Sequence, residues 1–199
     1  MTRTHRPRLA AASLAALVAL SLGACSGEEE SPEPDAGPSL SDPSAAPTLE
    51  VEPVVRAGEV VGRLTKGDRT RIVEAVSGVA VRYLDAAFLA GDYPRQGGFQ
   101  SALAAFAPGT AKVARGDLGL LTNAGIAPRV DEVTPAQLGV TVDVLAVREH
   151  ASAATAHVKL VFKTAGDVAQ RVQVQGRLMM TKADGRWQVF AYHLSKGAR

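Results

Sequence analysis

The chain of 199 residues holds one cysteine, Cys25, and four histidines. A lone thiol excludes an intramolecular disulfide and a Cys-rich zinc site. His150, His157 and His193 show no ligand spacing, and zinc requires three or four converging donors. No Ser-His-Asp pattern is visible. The one glycine pair with the look of a phosphate loop, Gly97-Gly98, lacks a strand before it and a helix after it. No catalytic residue, metal or cofactor is therefore expected. The other side chains with chemistry to offer are cations: Lys159, Lys163, Arg171 and Arg177 recur on one side of alternating segments, with His157, Gln173 and Gln175.

The surroundings of Cys25 explain the thiol. Residues 1–8, MTRTHRPR, are basic, and Leu9 to Ala24 form an uncharged stretch of 16 residues, LAAASLAALVALSLGA. That is short of the roughly 20 residues that span a bilayer as a helix. A basic start, an apolar middle and small closing residues read as a signal peptide. Leu22-Gly23-Ala24-Cys25 resembles the lipobox of bacterial lipoproteins. The resemblance implies cleavage between Ala24 and Cys25, acylation of the Cys25 sulfur, and a lipid-anchored chain at the cell membrane on its extracytoplasmic side. Small Gly23 and Ala24 let an extended backbone enter a peptidase cleft. Each buried CH₂ contributes about 0.8 kcal/mol, so two or three acyl chains hold far better than one. No twin arginine is present, which favours the Sec route.

Charge divides the chain into three parts, 1–24, 25–59 and 60–199. The first carries Arg3, Arg6 and Arg8 and no acid; the second has nine acids against Arg56, a net −8; the third has 18 basic and 11 acidic residues, a net +7. Six of the 11 prolines fall between Pro32 and Pro53. Such a composition buries too little apolar area to offset ordering entropy, so 25–59 reads as a disordered tether. As a coil it spans roughly 30–35 Å, and as extended polyproline roughly 105 Å. The remaining 140 residues suit one domain that is stable without disulfides.

Within 60–199 the hydrophobic period changes once. Ile72, Val73, Val76, Val79, Ala80, Tyr83, Leu84, Ala87 and Phe88 recur at spacings of three and four, predicting one amphipathic helix with Asp68 or a neighbour as its cap. Gly91-Asp92-Tyr93-Pro94 stops it. A second helix is expected over Phe99–Phe106, and a third, capped by Thr110, over Ala111–Leu121. After Pro135 the period becomes two. Val140/Val142/Val144/Ala146, Ala154/Ala156/Val158/Leu160/Phe162 and Val172/Val174/Gly176/Leu178/Met180 form apolar rows, and Trp187–Leu194 closes the chain. Short breaks, among them the hairpin pair Asp184-Gly185, make these neighbours antiparallel. The expected class is α+β: amino-terminal helices packed on one face of a curved antiparallel sheet of four or more strands.

Helices followed by a curved sheet that ends in Asp184-Gly185-Arg186-Trp187-Gln188-Val189 resemble the nuclear-transport-factor-2-like superfamily, whose anchored members include mammalian-cell-entry-associated proteins. That resemblance implies a cone-like fold and, in isomerase-like members, a small apolar ligand in the cone. Tyr83, Phe88, Phe99, Phe106, Phe162, Met180 and Trp187 could line such a pocket or simply fill the core. A carboxylate paired with a hydroxyl would be Asp143 with Tyr83, or Asp85 with Tyr192; neither carboxylate reads as buried.

A non-enzymatic binding or accessory module follows, held to the lipid bilayer through acylated Cys25. Its candidate partners are an envelope protein or an anionic surface met by Lys159, Lys163, Arg171 and Arg177. Nucleic acid is excluded because the patch lacks interleaved aromatics and export removes the domain from it. The alternative is a carrier or isomerase-like enzyme using the cone.

Overall fold

The computed structural model describes residues 51–199. The signal peptide, the lipobox residues Leu22, Gly23, Ala24 and Cys25, and the tether as far as residue 50 lie outside the described residues.

The fold is α+β, with one mixed five-stranded sheet. Its strands are β1 (Val54–Val61), β2 (Glu132–Val147), β3 (His150–Ala165), β4 (Gln170–Ala183) and β5 (Arg186–Ala198), lying side by side in chain order. β2 to β5 form the expected antiparallel meander. Its two tightest corners, Arg148-Glu149 and Asp184-Gly185, have positive φ at both residues, from 50° to 75°. Their twist matches that of the strands they join.

Two expectations about the amino-terminal part are corrected. The helices do not come first: β1 precedes them, and Val54–Glu59, read as the end of the tether, belong to that strand. β1 also pairs parallel to β2, with Val54 beside Gly139 and Ala57 beside Val142. The whole helical segment forms the crossover that a parallel pair requires.

Helix α1 (Lys66–Leu84) is capped by Thr65, whose hydroxyl accepts the Asp68 N–H at 3.1 Å and donates to the Asp68 carboxylate at 2.6 Å. The expected apolar stripe is buried, from Ile72 to Leu84. Asp85–Leu89 then continues as a π-helical turn. Phe99–Ala105 winds as a 3-10 helix instead of an α-helix. The expected third helix is two pieces, α2 (Pro108–Ala114) and α3 (Leu118–Leu121), joined by a 3-10 turn over Arg115–Asp117. Thr110 does not cap it. Pro108 occupies the first turn of α2, and the Thr110 hydroxyl donates to Phe190 O at 2.8 Å, tying α2 to β5.

The core lies between α1 and the inner sheet face. Val76, Ala80, Tyr83, Leu84 and Phe88 pack with Val140, Val142, Leu160, Phe162, Leu178 and Met180. Each such side chain contributes roughly 1.5–3 kcal/mol on burial. Gly176 permits a close approach of β5: its φ is +143°, and a Cβ there would lie 2.1 Å from His193 O.

Candidate binding faces

Each strand of the sheet puts alternate residues on the side away from α1. Cross-strand register aligns Arg56, Thr141, His157, Arg177 and His193 in one row across all five strands. Flanking rows place Lys159 beside Gln175, and Lys163 beside Arg171. The four cations read from the alternation, Lys159, Lys163, Arg171 and Arg177, are therefore brought together and exposed. Among the described residues none of them is in a salt bridge. Arg56 and His193 join this face without having been foreseen. Arg56 was hidden because its strand was read as tether, and His193 because strand pairing fixes its row. Gln173 departs from the expectation. It is buried beside Val161, and its amide donates to Gln175 Oε1 at 2.5 Å.

Asp143 sits at the boundary of this face, half-buried. Its Oδ1 accepts the Glu59 N–H at 2.8 Å, and its Oδ2 lies 2.8 Å from His157 Nε2. Tyr83 is on the other side of the sheet in the core, where its hydroxyl donates to Leu121 O at 2.8 Å. The pair Asp143–Tyr83 is thus not assembled. Burial, with Tyr192 nearby, pushes the Tyr83 hydroxyl far above its ordinary pKa.

The second pair is not assembled either. Tyr192 donates to Asp117 Oδ2 at 2.6 Å, and burial together with that carboxylate pushes its pKa up to about 12. Asp85 is largely buried, contrary to the expectation that neither carboxylate is. Only 7% of its surface is exposed, and burial raises its pKa. The reason is tertiary: the 3-10 helix Phe99–Ala105 packs against α1 and the π-helical turn and covers a side that periodicity assigned to solvent.

Four of the seven side chains read as possible pocket lining, Tyr83, Phe88, Phe106 and Phe162, pack ring against ring. Tyr83 meets Phe88 and Phe106 edge to face, at centroid distances of 6.3 and 5.2 Å, and Phe88 lies 6.2 Å from Phe162. Phe88, Phe162 and Met180 are wholly buried. Tyr83 and Trp187 also border open hollows beside α1. One, of about 900 Å³, runs past Thr65, Asp68, Arg71, Ile72 and His150. The other, of about 780 Å³, runs past Glu74, Gly78, Arg82, Asp85 and Ser101. They meet at Ala75, Gly185 and Trp187.

Two further polar groups lie at the helical end, Lys196 half-buried and Asn123 buried. Lys196 on β5 donates through Nζ to Gly119 O and, at 2.7 Å, to Thr122 O, and burial lowers its pKa. Asn123 donates to Phe88 O at 2.6 Å while its own side-chain oxygen has no partner. Among the described residues no three His, Cys, Asp or Glu side chains gather as a metal site. No helix among them is long and apolar enough to cross a membrane. Comparison with protein-family models, curated proteins and solved structures found no match to this chain.

Proposed function

We propose that this chain is a membrane-anchored extracytoplasmic lipoprotein whose folded part is a non-enzymatic binding module. The anchor is the acylated Cys25 implied by the Leu22-Gly23-Ala24-Cys25 resemblance, with the acidic segment after it as a tether. The module docks an anionic envelope surface through the outer sheet face. One observation carries that assignment: Lys159, Lys163, Arg171 and Arg177 stand exposed on two adjacent strands without an ion pair among the described residues. A basic side chain near an anionic membrane contributes about 1 kcal/mol, so four acting together give useful affinity only as a set. The nuclear-transport-factor-2-like cone is the fold reading that accompanies this proposal, supported by the helices on one sheet face and the close approach of β5 at Gly176. A carrier or isomerase-like role has less support, since four of the seven expected lining residues, Tyr83, Phe88, Phe106 and Phe162, are spent on packing with each other.

The test is co-sedimentation of the full chain, carrying Cys25→Ala to remove the acyl anchor, with vesicles. Binding to vesicles rich in anionic phospholipid, none to zwitterionic ones, and loss in the quadruple charge reversal to Glu is the expected pattern. Equal binding by the parent and the quadruple variant overturns the docking face. Anchoring is tested separately by palmitate labelling of the native chain, which Cys25→Ala must abolish.

A further inference from the structure

β1 is an edge of the sheet: β2 lies along one side of it, and among the described residues no strand lies along the other. Val54, Val55 and Val61 on this edge are 53%, 41% and 53% exposed. The edge has fixed ends. Pro53 has no N–H with which to extend a ladder, and Gly62, at φ +98°, bends the chain after Val61. An unpaired edge with exposed valines is a template for another strand.

The strand is complementary to its own reverse. Laid antiparallel on a copy of itself, Val54–Val61 sets Val54 opposite Val61, Val55 opposite Val60 and Arg56 opposite Glu59. Directly opposed residues must share a sheet face, yet in a regular strand two positions an odd number of residues apart point to opposite faces. The bulge between Ala57 and Val60 removes the conflict. Pairing with β2 puts Val54, Arg56 and Val61 beside Gly139, Thr141 and Leu145 on the outer face, and Val55 and Val60 beside Val140 and Val144 on the face toward α1. Glu59, one residue before inward Val60, is exposed on the outer face with Arg56. A slide of two residues either way sets Glu59 opposite Val54 or Arg56 opposite Val61, so one register matches the whole strand. Among the described residues neither Arg56 nor Glu59 is in a salt bridge. Charges and a bulge on an edge commonly keep other strands away. That guarding role requires neither opposite signs at opposed positions nor a bulge that brings them to one face.

We infer that β1 pairs antiparallel with β1 of a second copy of this chain, joining two five-stranded sheets into one across a two-fold axis. Valine meets valine toward each end of the contact, and an Arg56–Glu59 pair stands on either side of the axis. Cross-strand apolar and opposite-charge pairs stabilise a sheet, and like charges in the same places destabilise it. The contact uses the same surface on both copies, so it closes at two and builds no fibre. Arg69 of α1 donates to Gly58 O at 2.9 Å, at the centre of the strand, where the bulge already interrupts regular pairing. The axis is perpendicular to the sheet, so the outer faces of both copies lie on the same side. An edge of eight residues is small beside the roughly 800 Å² per partner of a standard interface, which makes this a weak, reversible dimer. The inference does not depend on what the cationic face binds.

The experiment is disulfide trapping in the full chain carrying Cys25→Ala, which has no thiol of its own. In the inferred register the two copies of residue 57 flank the axis with Cα atoms about 6 Å apart, within disulfide reach, whereas the two copies of residue 55 are about 17 Å apart. Under mild oxidation Ala57→Cys should therefore form covalent dimer at least tenfold faster than Val55→Cys. Added to Ala57→Cys, either Arg56→Glu or Glu59→Arg opposes like charges and should slow trapping at least tenfold. Mixing those two charge variants should restore it as a heterodimer, because each introduced charge then faces its opposite. The mixture also controls for folding, since a damaged chain would not recover. The inference is overturned if Ala57→Cys traps no faster than Val55→Cys, if the single charge variants trap like the parent, or if their mixture does not recover. Trapping is read without vesicles, so its failure and that of the docking face are distinct results.

Discussion

Asp143 and His157 face each other across the β2–β3 pair, with carboxylate oxygen and ring nitrogen 2.8 Å apart. The other Asp143 oxygen holds the Glu59 N–H, where β1 bulges between Ala57 and Val60. One carboxylate thus links three strands, and it can approach β1 only because residue 58 is glycine: a Cβ there would lie 2.0 Å from Asp143 Oδ1.

Gly58→Ala is accordingly expected to push the Asp143 carboxylate aside and cost roughly 0.5–1.5 kcal/mol, the worth of the Glu59 hydrogen bond it breaks, besides the His157 contact. His157→Ala should cost less than about 1 kcal/mol, because its contact with Asp143 is partly solvated. Urea unfolding of both variants checks the order, and a larger loss for His157→Ala would contradict it.

Asp85→Asn has a pH-dependent signature. Burial raises the folded-state pKa of Asp85 above the ordinary 3.8. The stability linked to its protonation is present below the unfolded pKa and is lost as pH rises through the folded value. The neutral variant escapes that loss. Its Tm should exceed the parent's at pH 7, and the gain should shrink toward nothing as pH falls below about 4. Calorimetry across that range decides it; a pH-independent difference would show that the carboxyl is not the cause.

The tyrosines offer an optical check. With Tyr83 raised by burial and Tyr192 at about 12, no more than one of the three tyrosines should ionise below pH 11 while the chain stays folded. Absorbance at the phenolate band counts them directly. Asp117→Asn should bring Tyr192 down, because the carboxylate is part of what holds it up.

Phe162→Ala removes a wholly buried ring that stacks near Phe88. A loss of about 3–5 kcal/mol is expected. Lys196→Met leaves Gly119 O to water and the part-buried Thr122 O without its donor, and should cost about 0.5–1.5 kcal/mol. Thermal unfolding of the two variants, alone and combined, checks both figures.

The meander was legible because alternation over long strands is a strong signal, and every inward residue from Val140 to Ala146 is indeed buried. Asp184-Gly185 was legible for a local reason, the positive φ that this pair tolerates. β1 was not. Its residues sit at the end of an acidic, proline-rich stretch, and only long-range pairing with β2 makes them a strand. The same holds for Asp85, where a helix wheel records one element's own sides and cannot register the 3-10 helix that covers it. Thr110 illustrates a third kind of miss: a good capping residue whose hydroxyl found a carbonyl 80 positions away. The lipobox tetrapeptide lies outside the described residues, so that reading rests on its residues alone.

The parallel pairing of β1 carries a kinetic consequence. Glu59 and Asp143, which close the contact, stand 84 positions apart. The hairpins need only local loops, and closing a longer loop costs more entropy and slows the search. The chain is delivered amino end first, so β1 emerges while its neighbour β2 still waits behind the whole crossover. The first strand made thus waits through the whole crossover for its neighbour, and a chain caught before that pairing exposes the flank of β2 to strangers.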